Sequence, residues 1–547
     1  MTTVDTPFHA GEREAQQRAG LESMASSAGS FIRDYMPEQH RDFFAQLPFM
    51  IMAASDGDGR PWVTTLEGKD GFITTPDTRT LSIAAALDAG DPLAAPLGPG
   101  ARVGLLGIEL ATRRRNRING VIRSASDGLI VDVQQSFGNC PQYIREREWR
   151  RVAPSTSPGL TVSDSLDAEQ RAWIEAADTF FIGSGTGVRT GDAIQESPSE
   201  GYDASHRGGE PGFVRVTKNG ALQIPDYAGN NFFNTIGNLI RDPRVGLLFV
   251  DFETGGMLQI TGRASIDWAP AVSHDPNAKR MIEVAVDQVV DRPAALSLRW
   301  RRNDAPLRLQ VVDKVIESDQ ITSFHLADPA GDALLPFEAG QHLAIELEIP
   351  GQSGWIGRSY SLSGSPFAET YRISIKREHH GVASRFLHDQ VGIGDRIDAR
   401  LPSGEFIIPQ CRSPLVLVSA GVGITPMLSM LHSLVAEKDG RPVWFVHGAR
   451  DGRAHAFRKE INALLVQSES VARRIFYSAP RANDAAGINY DAKGRITAED
   501  LLALEAGPDA CYLLCGPARF LAELSAGLEA GGVSADRIDF EMFGPAG

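Results

Sequence analysis

The stretch Leu415–Met430, LVLVSAGVGITPMLSM, decides how the C-terminal half of this chain is read. No charged residue occurs from Pro414 to Ala436, a length that raises the question of a membrane span. The composition argues otherwise, because Gly421, Gly423, Pro426, three serines and His432 fall in that window. Leu415–Val418 is a short apolar run of the kind buried in a parallel sheet, and Met427, Leu428, Leu431 and Leu434 recur at helical spacing. The stretch therefore predicts a buried strand, a glycine turn and a helix. Thr425 is expected to cap that helix and Pro426 to fit its first turn.

Such a turn has a chemical use. Glycines let the phosphates of a ligand approach the backbone, and the helix N-terminus presents N–H groups and a positive dipole. Pro426 stands where the third glycine of a full dinucleotide fingerprint would be, so the turn alone is a weak signal. From Leu415 onward, strand-like and helix-like segments alternate, which predicts a doubly wound parallel sheet. A second strand-to-turn segment, YLLCGPARFL (Tyr512–Leu521), should end at the same edge. Gly421, Gly423 and Thr425 would then share a crevice with Cys515, Gly516 and Pro517. Upstream, GRSYSLSG (Gly357–Gly364) offers Arg358, Tyr360 and Ser361 in close succession, suited to a phosphate-bearing aromatic ligand. The segment ISIKREHHGVASRFLHD contains Lys376, and its Gly381, Val382 and Ser384 open an apparent helix.

With 547 residues the chain exceeds a single core, and two to four domains are expected. A net charge of −15 excludes a general nucleic-acid binder, since no basic excess exists to neutralise phosphates. The four cysteines are too scattered for a disulfide framework or a zinc or iron–sulfur set, so no metal is expected. MTTVDTPFHAGEREAQQ lacks a basic region followed by an apolar run, and the expected location is the cytoplasm, without a membrane span.

The first half contains a repeat. Gly100–Ile122 (GARVGLLGIELATRRRNRINGVI) resembles Asp242–Ala264 (DPRVGLLFVDFETGGMLQITGRA), and each follows a strand pair with a hairpin signal, GDGRP or KNGA. Two β-rich halves suggest two barrels packed as a pseudo-dimer. RWRRNDAP (Arg299–Pro306) reads as the boundary to the second half.

Taken together, FEAGQHLAIEL, GRSYSLSG, ISIKREHHGVASRFLHD, PSGEF, VSAGVGITPML, LLCGPARFL and FEMFGP resemble the ferredoxin–NAD(P)+ reductase superfamily, specifically the reductase portion of flavohaemoglobins. The likeness covers roughly Leu307–Gly547. It implies an antiparallel β-barrel binding FAD (307–411) and a doubly wound α/β domain binding NADPH or NADH (412–547). It also implies that Arg358, Tyr360 and Ser361 hold the flavin and that Gly381, Val382 and Ser384 hold its pyrophosphate. Gly421, Gly423, Thr425, Pro426, Cys515, Gly516 and Pro517 would line the nicotinamide site, with Glu541 and Phe543 beside the flavin ring. Ser361, Cys515 and Glu541 are the candidate catalytic residues. Arg450 and Arg453 could meet a 2′-phosphate, while Asp451 between them argues the other way.

Segments of residues 1–300, among them TRRRNRINGVI, QQSFGNCPQYIRER, SHRGGEPGFVRV and IPDYAGNNFFNTIGNL, resemble pyridoxamine 5′-phosphate oxidase-like split-barrel proteins. This implies tandem split barrels of a fold that commonly binds FMN, and sometimes haem or a deazaflavin, at the interface of two barrels, with room for one or two sites. Candidate phosphate ligands are Arg113, Arg114, Arg115 and Arg117 on a turn, with Arg207, Asn230, Asn231, Asn234 and Thr235. Arg215 is placed at the flavin edge because it sits on a strand that would otherwise be apolar. His9, His40 and His206 are read as surface histidines rather than haem ligands, and Cys140 as structural.

The expectation is a flavoprotein passing hydride from NAD(P)H to FAD, and electrons onward to a cofactor in the split barrel, a small molecule or dioxygen. The alternative is a reductase for a separate electron-carrier protein, with the barrels a binding or dimerisation module and the chain a possible homodimer. No globin-like or ferredoxin-like segment is expected on either side of the reductase.

Overall fold

The computed structural model describes residues 6–22, 29–126, 128–138, 143–153, 159–186, 199–270, 273–302, 306–352 and 355–542. Cys140 and Phe543 lie outside the described residues. The chain divides into two compact units, Met1–Asp304 and Ala305–Gly547.

The N-terminal unit opens with helices α1 (Ala10–Arg18) and α2 (Glu38–Gln46). Its first sheet holds β1 (Phe49–Ser55), β2 (Pro61–Glu67), β3 (Ile73–Asp77), β4 (Thr80–Ile83), β5 (Arg102–Glu109), β6 (Arg114–Ser124) and β7 (Leu129–Gly138), ordered β2-β1-β5-β6-β7-β4-β3. Short strands β8 (Arg147–Arg151) and β9 (Thr161–Ser163) and helix α3 (Ala168–Ala176) follow. The second sheet holds β10 (Thr179–Gly185), β11 (Tyr202–Gly208), β12 (Arg215–Val216), β13 (Leu222–Asp226), β14 (Arg244–Val250), β15 (Met257–Asp267) and β16 (Arg280–Arg292), with helix α4 (Asn234–Arg241) between β13 and β14. Its order is β11-β10-β14-β15-β16-β13-β12. Each strand of the first sheet thus has its counterpart nine strands later, in the same place. The duplication expected from the sequence extends to the whole topology. Strand β17 (Leu298–Arg302) pairs with β8.

Period two explains why several of these strands are apolar throughout. On β1, Met50, Met52 and Ala54 point into the core of the first copy, while Phe49, Ile51 and Ala53 point into a cluster shared by both copies. On β14, Val245, Leu247 and Phe249 enter the second copy's own core, while Leu248 and Val250 enter the shared cluster. Each sheet is therefore buried on both faces. The contact has a pseudo-two-fold signature. A Cβ on Gly104 of β5 would lie 2.4 Å from the Tyr202 carbonyl oxygen of β11. One on Gly246 of β14 would lie 2.8 Å from the Pro61 carbonyl oxygen of β2.

In the C-terminal unit, β18 (Leu307–Ile316), β19 (Ile321–Ala327), β20 (His342–Glu348), β21 (Trp355–Ser361), β22 (Tyr371–Lys376) and β23 (Arg396–Ala399) form an antiparallel sheet ordered β21-β20-β23-β18-β19-β22. A bridge between Leu362 and Ile373 joins its two edges into a barrel. Helix α5 (Val382–Asp389) lies between β22 and β23. Then come β24 (Leu415–Ala420), α6 (Ile424–Ala436), β25 (Val443–Ala449), α7 (Arg458–Leu465), β26 (Val471–Tyr477), β27 (Ala492–Lys493), α8 (Ala498–Leu502), β28 (Cys511–Gly516), α9 (Ala518–Ala530) and β29 (Ile538–Met542). Their strands are all parallel and ordered β27-β26-β25-β24-β28-β29, so the direction of winding reverses between β24 and β28. That reversal is where an open α/β sheet leaves a crevice. The charge-free stretch is β24, a 3₁₀ turn at Gly421–Gly423, and α6, as its glycines and spacing predicted. Among the described residues no helix is long and apolar enough to cross a membrane, and none of their His, Cys, Asp and Glu side chains group into a metal site.

Barrel and α/β sheet are pinned by a part-buried ion cluster. Arg372 of β22 donates from both terminal nitrogens to Glu460 of α7, at 2.9 and 3.0 Å, and His432 of α6 lies 2.6 Å from the same carboxylate. Burial alone would raise the Glu460 carboxyl, but the bonds from His432 and Arg372 prevail and hold it down at about 2. A carboxyl depressed from its ordinary 4.5 adds stability that is present above that value and lost as pH falls through about 2. Glu460→Gln should destabilise the C-terminal unit by about 2 kcal/mol at pH 7 after allowing for its partial exposure. In urea titrations the gap from the wild type should narrow as pH falls from 4.5 toward 2.

Candidate functional site

In the C-terminal unit, the crevice is built on one close approach. Gly423 is buried, and a Cβ there would lie 2.3 Å from the carbonyl oxygen of Cys515. Only glycine lets the turn after β24 rest on the end of β28. Gly421 sits on the open side with φ +58, and a Cβ there would meet nothing within 4 Å, which leaves space for a ligand against the backbone. The sequence placed Thr425 as the helix cap. Instead it is the second residue of α6, and its hydroxyl donates to the Val422 carbonyl at 3.0 Å. Gly423 takes the cap position, because the 3₁₀ turn runs straight into the helix. Pro426 is accordingly buried within the first turn. Pro517 precedes α9 in extended conformation.

Cys515 is fully buried, and burial followed by the charge of Glu541 pushes its thiol well above the ordinary value. It is a neutral group in the wall, with no nucleophilic character. Glu541 is its register partner on β29. Ser361, at the end of β21 and 3% exposed, donates to the Glu541 carboxylate at 3.1 Å. Burial, with a smaller push from Asp539, raises Glu541 to about 7 against the opposing bond from Ser361. Ser361, Cys515, Glu541 and Gly423 thus meet at the switch point.

Arg358 and Tyr360 share the face of β21 opposite Ser361, by period two. The Arg358 guanidinium is half-exposed and one terminal nitrogen donates to the Gly357 carbonyl at 2.8 Å, so donors remain for an anion. Burial raises the Tyr360 hydroxyl to about 12, so it is a neutral donor. Gly381 caps α5, and Ser384 ties its hydroxyl to the Gly381 carbonyl and the Glu378 amide, both at 3.2 Å. Among the described residues no backbone carbonyl accepts from the amides of Val382, Ala383 or Ser384. A first-turn set of free N–H groups, an adjacent guanidinium and a tyrosine suit the pyrophosphate and ring of a dinucleotide such as FAD. Lys376 is engaged with Glu378 at 2.8 Å.

Sequence reasoning missed a buried pair beneath the turn. His447 of β25 bonds Ser419 at 2.9 Å, and His455 beside it bonds the Tyr477 hydroxyl at 2.9 Å. Burial, then His455, keeps His447 neutral. Asp451 accepts from the Arg453 and Ala454 amides and from Arg481 at 2.8 Å. A cavity of about 610 Å³ is lined by Arg453, Arg458, Arg481 and Asp484 among others.

The N-terminal unit holds a second polar centre, and here several expectations change. Arg114, Arg115 and Arg117 belong to strand β6, not to a turn, and Arg113 alone has the turn conformation, with φ 60. His9 and His206 are buried, not surface residues, and His40 bonds Ser136 at 2.8 Å. His9 caps α1 and bonds Asn238 at 2.9 Å. Arg215 is exposed on the two-residue edge strand β12. Arg207 pairs with Asp226 at 2.8 Å. Asn231 has φ 64 just before α4, and Asn234 faces Arg117 at 3.2 Å. The residues around them that sequence reasoning missed are Glu12, Asn119, Asp203 and Asn238. Asp203 accepts from Asn119 at 2.8 Å and from Asn238 at 2.7 Å.

Comparison with known proteins bears on the C-terminal unit. Residues 308–408 match the oxidoreductase FAD-binding domain model, and 417–525 the oxidoreductase NAD-binding domain model. The Flavohemoprotein of Deinococcus radiodurans is 41% identical over 248 residues, which is 45% of this chain and 60% of that protein. That of Pseudomonas aeruginosa is 42% identical over 242 residues, 44% of this chain and 59% of that protein. The chain thus spans about 60% of the length of these curated relatives. The FAD/NAD-binding domain of nitric oxide dioxygenase from Vibrio cholerae is 34% identical, with a TM-score of 0.40, over 44% of this chain and 98% of that one.

Gly423→Ala should lower the stability of the C-terminal unit by about 1–3 kcal/mol, since the methyl group can be placed only by moving the end of β28. Thermal denaturation of the two proteins would check it.

The C-terminal half of the chain is a flavohaemoprotein-like reductase module carrying the FAD-binding and NAD-binding domains of an FAD-dependent oxidoreductase.

Proposed function

We propose that the chain oxidises NADH or NADPH at the crevice between β24 and β28. Hydride would pass to FAD held by Arg358, Tyr360 and the first turn of α5. Electrons would then pass to an acceptor bound by the N-terminal unit, or to a small molecule or dioxygen. The observation that carries this reading is the Ser361–Glu541 bond, because it joins the barrel strand bearing Arg358 and Tyr360 to the sheet bearing the glycine turn. FAD, when bound, supplies the two-electron chemistry. The chain's own residues place and tune. Gly423 sets the depth of the turn, Cys515 closes the wall without a charge, and Ser361 orients the Glu541 carboxyl. That carboxyl titrates near neutrality, so it can donate a hydrogen bond below about 7 and only accept one above it.

For the N-terminal unit, we read the duplicated sheets as tandem split barrels binding FMN. The supporting observation is the buried cationic cluster around Arg117 and His206. Residues 1–300, 307–411 and 412–547 are the proposed domains.

Arg358→Ala should yield protein that retains less FAD on gel filtration and oxidises NADH at least about tenfold more slowly, the loss expected for one charged hydrogen bond. Unchanged flavin content and turnover would refute this assignment of the FAD site. In the wild type, NADH oxidation should fall as pH rises through about 7, as Glu541 loses its proton. Glu541→Gln, which keeps a donor at all pH values, should flatten that limb of the profile. FAD as the sole flavin released on denaturation would favour a non-catalytic N-terminal module serving a separate electron carrier.

A further inference from the structure

The two copies in the N-terminal unit create two seams. Strand register makes their residues comparable one by one. In the first seam β6 faces β11 and α4, with Asn119 bonded to Asp203 and Arg117 to Asn234. In the second, β15 faces β2, with Gln259 donating to the Val63 carbonyl at 3.0 Å. Leu106 of β5 pairs with Arg117, and its counterpart Leu248 of β14 pairs with Gln259. By the same register Arg115 corresponds to Met257 and Asn119 to Thr261. On the facing strands, His206 corresponds to Thr65 and Arg207 to Leu66.

The two seams have opposite electrostatics. Arg117 is 7% exposed, and among the described residues no carboxylate stands within ion-pair distance of it. One terminal nitrogen donates to the neutral Asn234 amide, and its Nε meets no partner. His206 is 5% exposed, its Nε2 is also unmatched, and Arg115 lies 3.4 Å from its Nδ1. The nearby acids are committed elsewhere. Asp203 takes two amides, Asp226 pairs with Arg207 and Arg280, and Glu12 accepts from the His9 amide and Asn234. Burial, then Asp203, pushes the Glu12 carboxyl well up. Burial pulls the Arg117 guanidinium down to about 9 against the longer-range attraction of Asp203, and a bound anion in direct contact would relieve that cost.

The second seam has no such need. Arg292 pairs with Asp91 at 2.6 Å and also with Asp88, and Asp91 accepts further from Gln259 and Thr64. The cavity of about 350 Å³ beside it is lined by Asp56, Asp58 and Asp91 with Arg60 as its cation, a setting that repels phosphate.

We propose that the N-terminal unit takes one phosphate-bearing ligand per chain, its anionic group held at the first seam by Arg117 with His206 and Arg115 beside it, and that the second seam is closed by the Arg292–Asp91 pair. The choice of FMN as that ligand rests on the function proposed above. The single site itself rests on the comparison of the seams. Arginines and an imidazole converging from two strands suit a doubly charged phosphate better than a single carboxylate.

The test uses the full-length protein with its FAD in place. Calorimetric titration with FMN should give one equivalent per chain, and Arg117→Gln should weaken binding at least about tenfold. Thr65→Val, in the second seam, should leave it unchanged. Inorganic phosphate should raise the melting temperature of the wild type and not that of Arg117→Gln. The variant places at the first seam the residue type that Gln259 supplies at the second, and without ligand it should melt no lower than the wild type. His206→Gln should show the same loss of phosphate response. Two equivalents of FMN, or binding that depends on Thr65 and not on Arg117, would overturn the single site. Failure of FMN to bind while phosphate still stabilises through Arg117 would sink the flavin assignment and leave the site standing. Absence of any Arg117-dependent response to either probe would overturn the site itself.

Discussion

The contact between Gly423 and the carbonyl of Cys515 sets the geometry of the C-terminal unit. Without a side chain, the turn after β24 can lie on the end of β28, and the two central strands stop at the same height. Glu541 follows on the next strand, in register with Cys515, and Ser361 reaches it from the barrel. A residue of any size at position 423 would lift the turn and open the Ser361–Glu541 bond at second hand. The Arg372–Glu460–His432 cluster resists that opening from the other side, because it fixes the barrel strand β22 to helices α6 and α7. Positioning here is a matter of backbone distance and one ion cluster, which suits a chemistry in which two rings must touch and little acid–base work is needed.

The N-terminal unit solves a different problem. A sheet with two apolar faces must be covered twice, and each copy covers one face of the other. That is why β1 and β14 read as unbroken apolar runs where a solvated antiparallel strand would alternate. It is also why glycines stand at Gly104 and Gly246, where the backbones of the two copies come closest.

Much of this was legible in the sequence for physical reasons that act locally. Glycine punctuation and a change from period two to helical spacing identified β24, its turn and α6. Similar residues at similar spacing revealed the duplication. What the sequence concealed depends on contacts between distant segments. Thr425 has the chemistry of a cap, but a 3₁₀ turn continuous with α6 moved the cap to Gly423. His9 and His206 look like surface residues in isolation, yet both are buried, His9 against Asn238 of α4 and His206 beside Arg115 of β6. The consecutive arginines from Arg113 suggest a solvated turn, although only the first is in the turn and the others run along a strand that faces the second copy. Arg215 was singled out because its neighbours are apolar, but a two-residue edge strand leaves it in solvent. Glu12, Asp203 and Asn238 carried no motif at all, and their importance appears only once residues more than 30 positions apart are brought together.

Fusion of the two copies into one chain explains how their seams came to differ. In a symmetric dimer each substitution appears at both seams, so a change that closes one closes the other. Covalent linkage removes that constraint. Gln259 can replace the arginine found at Arg117, and Arg292 can be neutralised by Asp91, without any loss at the first seam. The closed seam is then free to serve stability. Its Arg292–Asp91–Gln259 network ties β15 and β16 of one copy to the loop that follows β4 and to the carbonyl of Val63 in the other. The open seam keeps its arginines, and among the described residues none of the nearby carboxylates reaches the buried Arg117 as a direct ion pair. A scaffold alone could carry apolar residues there, as at Met257 and Leu66, and the retention of arginines at one seam alone supports the proposed ligand site.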